Sequence, residues 1–214
     1  MKFNICFIGG GSKLWAITLM KDLSVARDLE GTIRLYDIHQ ANAETNVKLG
    51  NRIFGHASPG KPSFRITAEQ RVENALEGAD FVILSLEPGP IEVRYSDLVL
   101  PEEYGILQSV GDTIGPGGIF RARRSIPIFR HYARMIRKHA PKAWVINYTN
   151  PMTLCTRVLY ESFPEIKAFG CCHEVYGTRH LLKGMLADLR GIETAGPDDI
   201  LVNSLTFLPK SCCC

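Results

Sequence analysis

The chain has 214 residues, of which 45% are hydrophobic and 22% charged, an ordinary composition for a globular protein in water. Its formal net charge of +3 is too small to indicate a nucleic-acid partner or an anionic membrane surface. No apolar run approaches the roughly 18–20 residues that a membrane helix needs, and the N-terminus lacks the features of a signal peptide. We therefore expect a cytoplasmic protein without a nucleic-acid or membrane partner.

In the first half of the chain, apolar runs typical of strands alternate with helical patterns. A run that stops at three glycines is followed, from Lys13, by apolar positions three residues apart. The predicted strands are 3–8, 32–37, a weak 64–67 and 80–86; the predicted helices begin at 13, cover 41–54 and 72–76, and a helix or loop continues to about 104.

The second half continues the alternation after a loop at 108–119 that is rich in Gly, Pro, Asp and Thr. A basic helix over 120–140 contains Pro127, which predicts a kink or a late start. Next come a strand at 144–148, a helix at 152–163, a strand before Gly170, a helix near 177–190 and a strand near 200–205.

This order predicts the α/β class, with a Rossmann-like, doubly wound and mostly parallel sheet that carries helices on both faces. The predicted domains are a dinucleotide-binding domain over 1–195 and the start of a second domain over 196–214.

The seven cysteines do not resemble a disulfide framework, which favours a reducing compartment. Cys6 and Cys155 lie in apolar runs and are expected to be small buried residues. Cys171 and Cys172 are adjacent, and Cys212, Cys213 and Cys214 end the chain.

A glycine-rich turn between the first strand and the first helix predicts a dinucleotide site. Gly9, Gly10, Gly11 and Ser12 would let backbone amides approach a pyrophosphate, although the third glycine of Gly-x-Gly-x-x-Gly is replaced by Leu14. Asp37 ends the second strand, where a carboxylate binds ribose hydroxyls and disfavours a 2′-phosphate, so NAD is expected over NADP. The alternative is a structural turn beside a surface aspartate.

A thiol, an imidazole and a carboxylate stand in a row in Gly170-Cys171-Cys172-His173-Glu174, directly after a predicted strand. Alone, this run is a candidate metal or acid–base site. Strand ends at one edge of such a sheet converge on the cofactor, so the run is expected on the same side as the dinucleotide.

Four segments together resemble glycoside hydrolase family 4, the NAD- and manganese-dependent glycosidases. They are Gly9 to Ser12, Gly111 to Gly118, Asn147-Tyr148-Thr149-Asn150-Pro151 and Cys172-His173-Glu174. The resemblance covers residues 1 to about 205 and corresponds to the N-terminal portion of the family, with the C-terminal substrate and dimer domain missing.

The resemblance implies cleavage of O-glycosidic bonds by redox and elimination rather than by two carboxylates. NAD⁺ takes hydride from C3 of the sugar, the C2 proton becomes acidic beside the ketone and a divalent metal, and the C1 group leaves. The hydride returns after water adds. The implied cofactors are NAD and Mn²⁺, the substrate is a small glycoside, and the full-length form is a homo-oligomer.

The resemblance also implies roles for the residues of this chain that stand at matching positions of the family. Gly9, Gly11, Ser12 and Asp37 match NAD-binding residues, Asn150 matches the asparagine that contacts the sugar, and Cys172 matches a thiolate metal ligand. His173 occupies a position that carries Asp or Asn in the phosphoglycosidases and is the expected catalytic residue. Cys-His-Glu therefore looks like the branch for unphosphorylated α-glycosides or α-galacturonides, with Glu174 and Asp112 as expected substrate contacts.

Each residue also has a structural interpretation. Asn150 could cap the helix that begins at Pro151, Cys172 could be a buried thiol, His173 a satisfied polar residue, and Asp112 part of a loop. Three basic side chains are expected mostly on a solvated helix face, with one available to an anionic sugar group: Arg121, Arg123 and Arg124.

The end of the chain departs from the family. The expected second metal ligand, a histidine, is replaced by Pro209 or, in another register, by Ser204. We expect a truncated or frameshifted product without glycosidase turnover that still binds NAD. The alternatives are an NAD-dependent dehydrogenase of the lactate/malate type and an inactive NAD-binding fragment; Cys172 and Asn150 favour the glycosidase.

Overall fold

The computed structural model describes residues 1–26, 29–55, 63–172, 174–193, 196 and 199–201, with Val175 described by its backbone alone. Within these residues, none of the helices has the length and apolar character needed to cross a membrane.

Strands and helices alternate as the sequence predicts. The strands are β1 (Lys2–Ile8), β2 (Glu30–Tyr36), β3 (Ser63–Ala68), β4 (Phe81–Leu84), β5 (Trp144–Asn147) and β6 (Lys167–Gly170). The helices are α1 (Trp15–Val25), α2 (Gln40–Phe54), α3 (Val72–Leu76), α4 (Ile91–Glu103), α5 (Gly115–His139), α6 (Met152–Ser162) and α7 (Glu174–Arg190).

The six strands form one sheet in the order β3-β2-β1-β4-β5-β6, and every pair is parallel. The predicted Rossmann-like sheet is therefore confirmed. Strand order reverses between β1 and β4, and in such sheets ligands bind outside the carboxyl ends of the strands at this switch point. Ile8 is in register with Tyr36 and Leu84, so these strand ends share one edge.

Successive β1 residues point to opposite faces and divide the core in two. Cys6 and Ile8 join one cluster with α3, α5 and α6, whereas Ile5 and Phe7 join the other with α1 and α2. Cys6 and Cys155 are fully buried, as predicted. Burial raises the pKa of both thiols to about 12, which leaves them unreactive at neutral pH.

The end of the predicted loop at 108–119 is wrong, because α5 begins at Gly115. Gly115 has a φ of +73°, and a Cβ atom on Gly117 would lie 2.2 Å from the Asp97 carbonyl oxygen. Gly115 therefore permits the turn into α5, and Gly117 permits close packing against α4, so both glycines serve the start of the helix rather than an irregular loop. The helix continues through Pro127 to His139, so the late start is also wrong.

The chain forms two compact units, Met1–Gly170 and a second that begins at Cys171. The sheet belongs to the first unit and α7 to the second. The predicted boundary after residue 195 stays a prediction, because residue 195 lies outside the described residues. The strand predicted near 200–205 lies mostly outside them as well.

Candidate active site

The β1–α1 turn fits only glycine at its first position. Gly9 has a φ of +90°, and a Cβ atom there would lie 1.9 Å from the carbonyl oxygen of Ser85, just after β4. The N–H groups of Gly9 and Gly10 both donate to the Tyr36 carbonyl, each at 2.9 Å. The turn is therefore fixed between the ends of β2 and β4, at the switch point.

The Asp37 carboxylate braces this turn from the end of β2. Its Oδ2 accepts a hydrogen bond from the Gly11 N–H at 2.9 Å, and its Oδ1 accepts one from the His39 N–H at 2.8 Å. The residue is half-buried, and each carboxylate oxygen has a further lone pair. Asp37 can therefore bind a ribose diol while it holds the glycine turn.

Two backbone donors at the start of α1 are available to an anion. The Ser12 N–H donates to the Gly9 carbonyl, and the Trp15 N–H donates to Ser12 Oγ at 3.1 Å. Within the part of the chain that the structure describes, the N–H groups of Lys13 and Leu14 have no hydrogen-bond partner. The first turn of α1 carries no acidic residue, so its positive end suits a phosphate group.

Asn46 also holds the turn, and the sequence interpretation missed it. Only 3% of Asn46 is exposed, and its side-chain amide donates to the carbonyls of Gly10 and Ser12 at 2.8 and 2.9 Å. Its spacing from the buried residues Ala43 and Gly50 places it on the inner face of α2. A polar residue in that apolar register was the available signal.

A charged network lies between β4, α4 and α5. The buried Arg121 pairs with Glu87, which also pairs with Arg94 at 3.4 Å. Arg94 pairs with Asp112 at 3.2 Å, and Arg124 pairs with the buried Asp97. Three guanidinium groups therefore meet three carboxylates, so the network is balanced in charge.

The expectation of a solvated arginine face holds for Arg123, which is exposed, and is wrong for Arg121, which is 3% exposed. Arg121 lies four residues before Ser125 and eight before Phe129, so it falls on the buried face of α5. Arg124 is half-buried and also donates to the Pro88 carbonyl at 3.1 Å.

Asn150 follows β5 and is held through its backbone. Its carbonyl accepts a hydrogen bond from Arg121 Nε at 3.0 Å, and the peptide bond to Pro151 is cis. The residue that caps α6 is Pro151, without a side-chain capping bond, so the interpretation of Asn150 as the cap is wrong. Within the described residues its side chain has no hydrogen-bond partner and is free to meet a ligand.

Asp112 lies at the edge of the network, with its side chain 14% exposed. Its carboxylate accepts from Arg94 and from the Thr113 hydroxyl, each at 3.2 Å. A substrate contact by Asp112 would therefore compete with these two donors.

The run after β6 belongs to the second unit. Cys172 is exposed, and its Sγ accepts a long hydrogen bond from the Glu174 N–H at 3.5 Å. His173 lies outside the described residues, and Glu174 is exposed at the first position of α7. Among the described residues, no group of three or more His, Cys, Asp or Glu side chains could hold a metal ion.

Comparison with known proteins bears out the resemblance. The model for "Family 4 glycosyl hydrolase" matches residues 4–188. An α-galacturonidase of Thermoanaerobacterium saccharolyticum is 52% identical over 94% of this chain and 43% of its own length. The chain therefore spans less than half the length of this relative.

Two solved structures share the fold. The protein lplD of Bacillus subtilis has a TM-score of 0.85 and 48% identity, over 95% of this chain and 46% of its own. The 6-phospho-β-glucosidase of Thermotoga maritima, solved with manganese, NAD⁺ and glucose-6-phosphate, has a TM-score of 0.71 and 25% identity, over 87% and 44%. With the family match across most of its residues, this chain belongs to glycosyl hydrolase family 4.

Proposed function

We propose that the chain is the NAD-binding part of a glycosidase that acts on α-galacturonides. The observation that carries NAD binding is the Asp37 carboxylate, which accepts from the Gly11 N–H close to the N–H groups of Lys13 and Leu14, two donors without a partner in the part of the chain that the structure describes. The α-galacturonidases of about 50% identity support the substrate class.

The residues of the turn fit NAD. Asp37 would hold the adenosine ribose, and the start of α1 would hold the pyrophosphate, with Gly9, Gly10, Gly11 and Ser12 shaping the path of the backbone. When bound, NAD⁺ supplies a hydride acceptor for a sugar carbon. Like-charge repulsion between Asp37 and a 2′-phosphate would disfavour NADP.

The side chain of Asn150, which has no hydrogen-bond partner among the residues that the structure describes, would hydrogen-bond hydroxyl groups of the sugar. Arg121 Nε donates to the Asn150 backbone carbonyl at 3.0 Å. This bond holds Asn150 in place after the carboxyl end of β5, at the edge of the sheet where the glycine turn lies, so that its side chain needs little reorientation to meet a sugar. Roles for Asp112 and Glu174 in sugar binding and for His173 in proton transfer remain part of the proposal.

The expectation that the protein binds Mn²⁺ rests on the family and on Cys172. A lone exposed thiol does not make a metal site, and the described residues offer no donor set around it. The proposed chemistry therefore includes no step at a metal.

A substrate panel tests the proposed function. Aryl glycosides of galacturonic acid, galactose, glucose and 6-phosphoglucose are assayed with NAD, Mn²⁺ and a reductant. We expect no turnover by this chain, and galacturonide cleavage by a fusion of residues 1–190 to the second half of the Thermoanaerobacterium relative. Turnover by the chain alone would contradict the expectation that this chain is inactive. A preference of the fusion for the phosphoglucoside would contradict the proposed substrate class.

The cofactor assignment predicts that Asp37→Asn weakens NAD binding about tenfold, since hydrogen bonds to a charged acceptor contribute roughly 1.5–3 kcal/mol. NADP binding should weaken less, because the repulsion of the 2′-phosphate is removed. Calorimetric titration of both cofactors measures the ratio. Asp22→Asn, which removes the same charge at an exposed position of α1, is the control, and an unchanged NAD-to-NADP ratio in Asp37→Asn would refute the assignment.

A further inference from the structure

Asn46 makes two contacts of one kind with the glycine turn. Its amide donates to the Gly10 carbonyl at 2.8 Å and to the Ser12 carbonyl at 2.9 Å. Both hydrogens of the Asn46 amide are therefore donated to the backbone of the turn. Because Asn46 is only 3% exposed, these bonds are shielded from water.

Because the peptide bond is planar, these two contacts also determine where the N–H groups of the following residues point. In a trans peptide the carbonyl of one residue and the N–H of the next lie in one plane and point opposite ways. The Gly10 carbonyl faces Asn46, and the Gly11 N–H accordingly faces Asp37, with 2.9 Å between N and Oδ2. The Ser12 carbonyl also faces Asn46, so the Lys13 N–H must point away from α2.

That N–H is one of the two donors at the positive end of α1 that have no partner among the described residues. We infer that Asn46 is a positioning residue for the cofactor, which sets the two peptide planes of the turn so that the Lys13 N–H faces the pyrophosphate. The inference rests on the proposed NAD binding and names a residue that would touch neither the nucleotide nor the sugar.

Neither Asp nor Ala can replace this amide. An Asp at 46 would put a carboxylate against two carbonyl oxygens, and an Ala would leave both carbonyls without their buried donor. Either change frees the two peptide planes to rotate. Binding must then select the competent orientation, and a competent fraction of about one tenth corresponds to an affinity about tenfold lower.

The test compares ligands with and without the pyrophosphate. Asn46→Ala and Asn46→Asp are titrated with NAD, ADP-ribose and adenosine, beside the wild-type chain. Ser125→Ala is the matched control, because Ser125 is fully buried and its hydroxyl donates to the Arg121 carbonyl at 2.9 Å, within α5. We expect NAD and ADP-ribose to bind the Asn46 variants about tenfold more weakly, with adenosine within about twofold of wild type.

The outcomes separate the two claims. Absence of NAD binding by the wild-type chain overturns the proposed cofactor site and this inference with it. Wild-type affinity in folded Asn46 variants overturns the inference alone, and so does an equal loss for all three ligands, which would indicate a purely structural role.

The wild-type chain also supplies a measurement that needs no variant, should both variants fail to fold. In amide-resolved NMR spectra, ADP-ribose should shift the backbone signals of Lys13 and Leu14, and the Asn46 side-chain amide protons should exchange slowly with solvent. Fast exchange at Asn46, or unshifted signals at Lys13 in a chain that binds ADP-ribose, overturns the inference.

Discussion

Gly9→Ala should destabilise the chain by about 3 kcal/mol or more and abolish NAD binding. A residue with a side chain at positive φ costs roughly 1–2 kcal/mol, and a forced overlap in a packed region typically costs 1–3 kcal/mol more. Both apply at Gly9, where φ is +90° and the new Cβ atom would lie 1.9 Å from the Ser85 carbonyl oxygen. The Ser85 carbonyl is part of the backbone just after β4, which cannot move aside as the end of a flexible side chain can. The glycine turn itself must therefore move.

Denaturant unfolding measures the loss, and a titration with NAD measures binding. Gly78→Ala is the matched control, because Gly78 also has a positive φ, +62°, but no atom would lie within 4 Å of its added Cβ. Gly78→Ala should therefore show only the conformational cost. Equal destabilisation of the two variants would show that the close approach at Ser85 has no energetic effect.

Arg121→Met should lower the free energy of unfolding by about 3 kcal/mol, because the buried Arg121 makes charged hydrogen bonds to Glu87 and to the Asn150 carbonyl, each of which contributes roughly 1.5–3 kcal/mol. The Arg121 side chain is 4% exposed and Glu87 is 38% exposed, so one partner keeps some solvation. Glu87 also keeps Arg94 at 3.4 Å. The Asn150 carbonyl loses the donor at 3.0 Å that fixes it.

Arg157→Met is the control for this prediction. Arg157 pairs with Glu161 at 3.0 Å on the surface of α6, with the two side chains 65% and 51% exposed. Exposed pairs contribute about 0–1 kcal/mol, so this variant should unfold almost like wild type. If denaturant unfolding gives the same stability for both variants, the contacts of the buried Arg121 stabilise the chain no more than those of an exposed arginine.

The parts of the fold that were predicted correctly depend on local patterns. Strands such as β4 are buried on both faces and read as continuous apolar runs, and α2 was predicted to within one residue at its start. The misplaced start of α5 has a tertiary cause, since Gly117 is needed for its approach to the Asp97 carbonyl. Composition alone cannot separate a glycine that packs from a glycine that turns.

The same division applies to the candidate site. The glycine turn, Asp37, Asn150 and Cys172 were predicted as site residues from short motifs, each of which follows a strand, and these roles stay predictions. Asn46 was not recognised and Arg121 was assigned to a solvated face, because their partners lie 34–36 and 29–34 residues away in the chain. No local spacing encodes such contacts, and both residues are polar, so composition favoured solvent.

Periodicity and motifs a few residues long were enough to predict the class of the fold, the position of the glycine turn and the family. The packing of distant elements was needed to establish which polar groups the interior holds. It paired Arg121 with Glu87, held Asn150 by its backbone and left the Lys13 and Leu14 N–H groups without a partner among the described residues. The reason is physical: a buried polar group must be matched by a partner, and the packing of distant elements decides which partner is within reach.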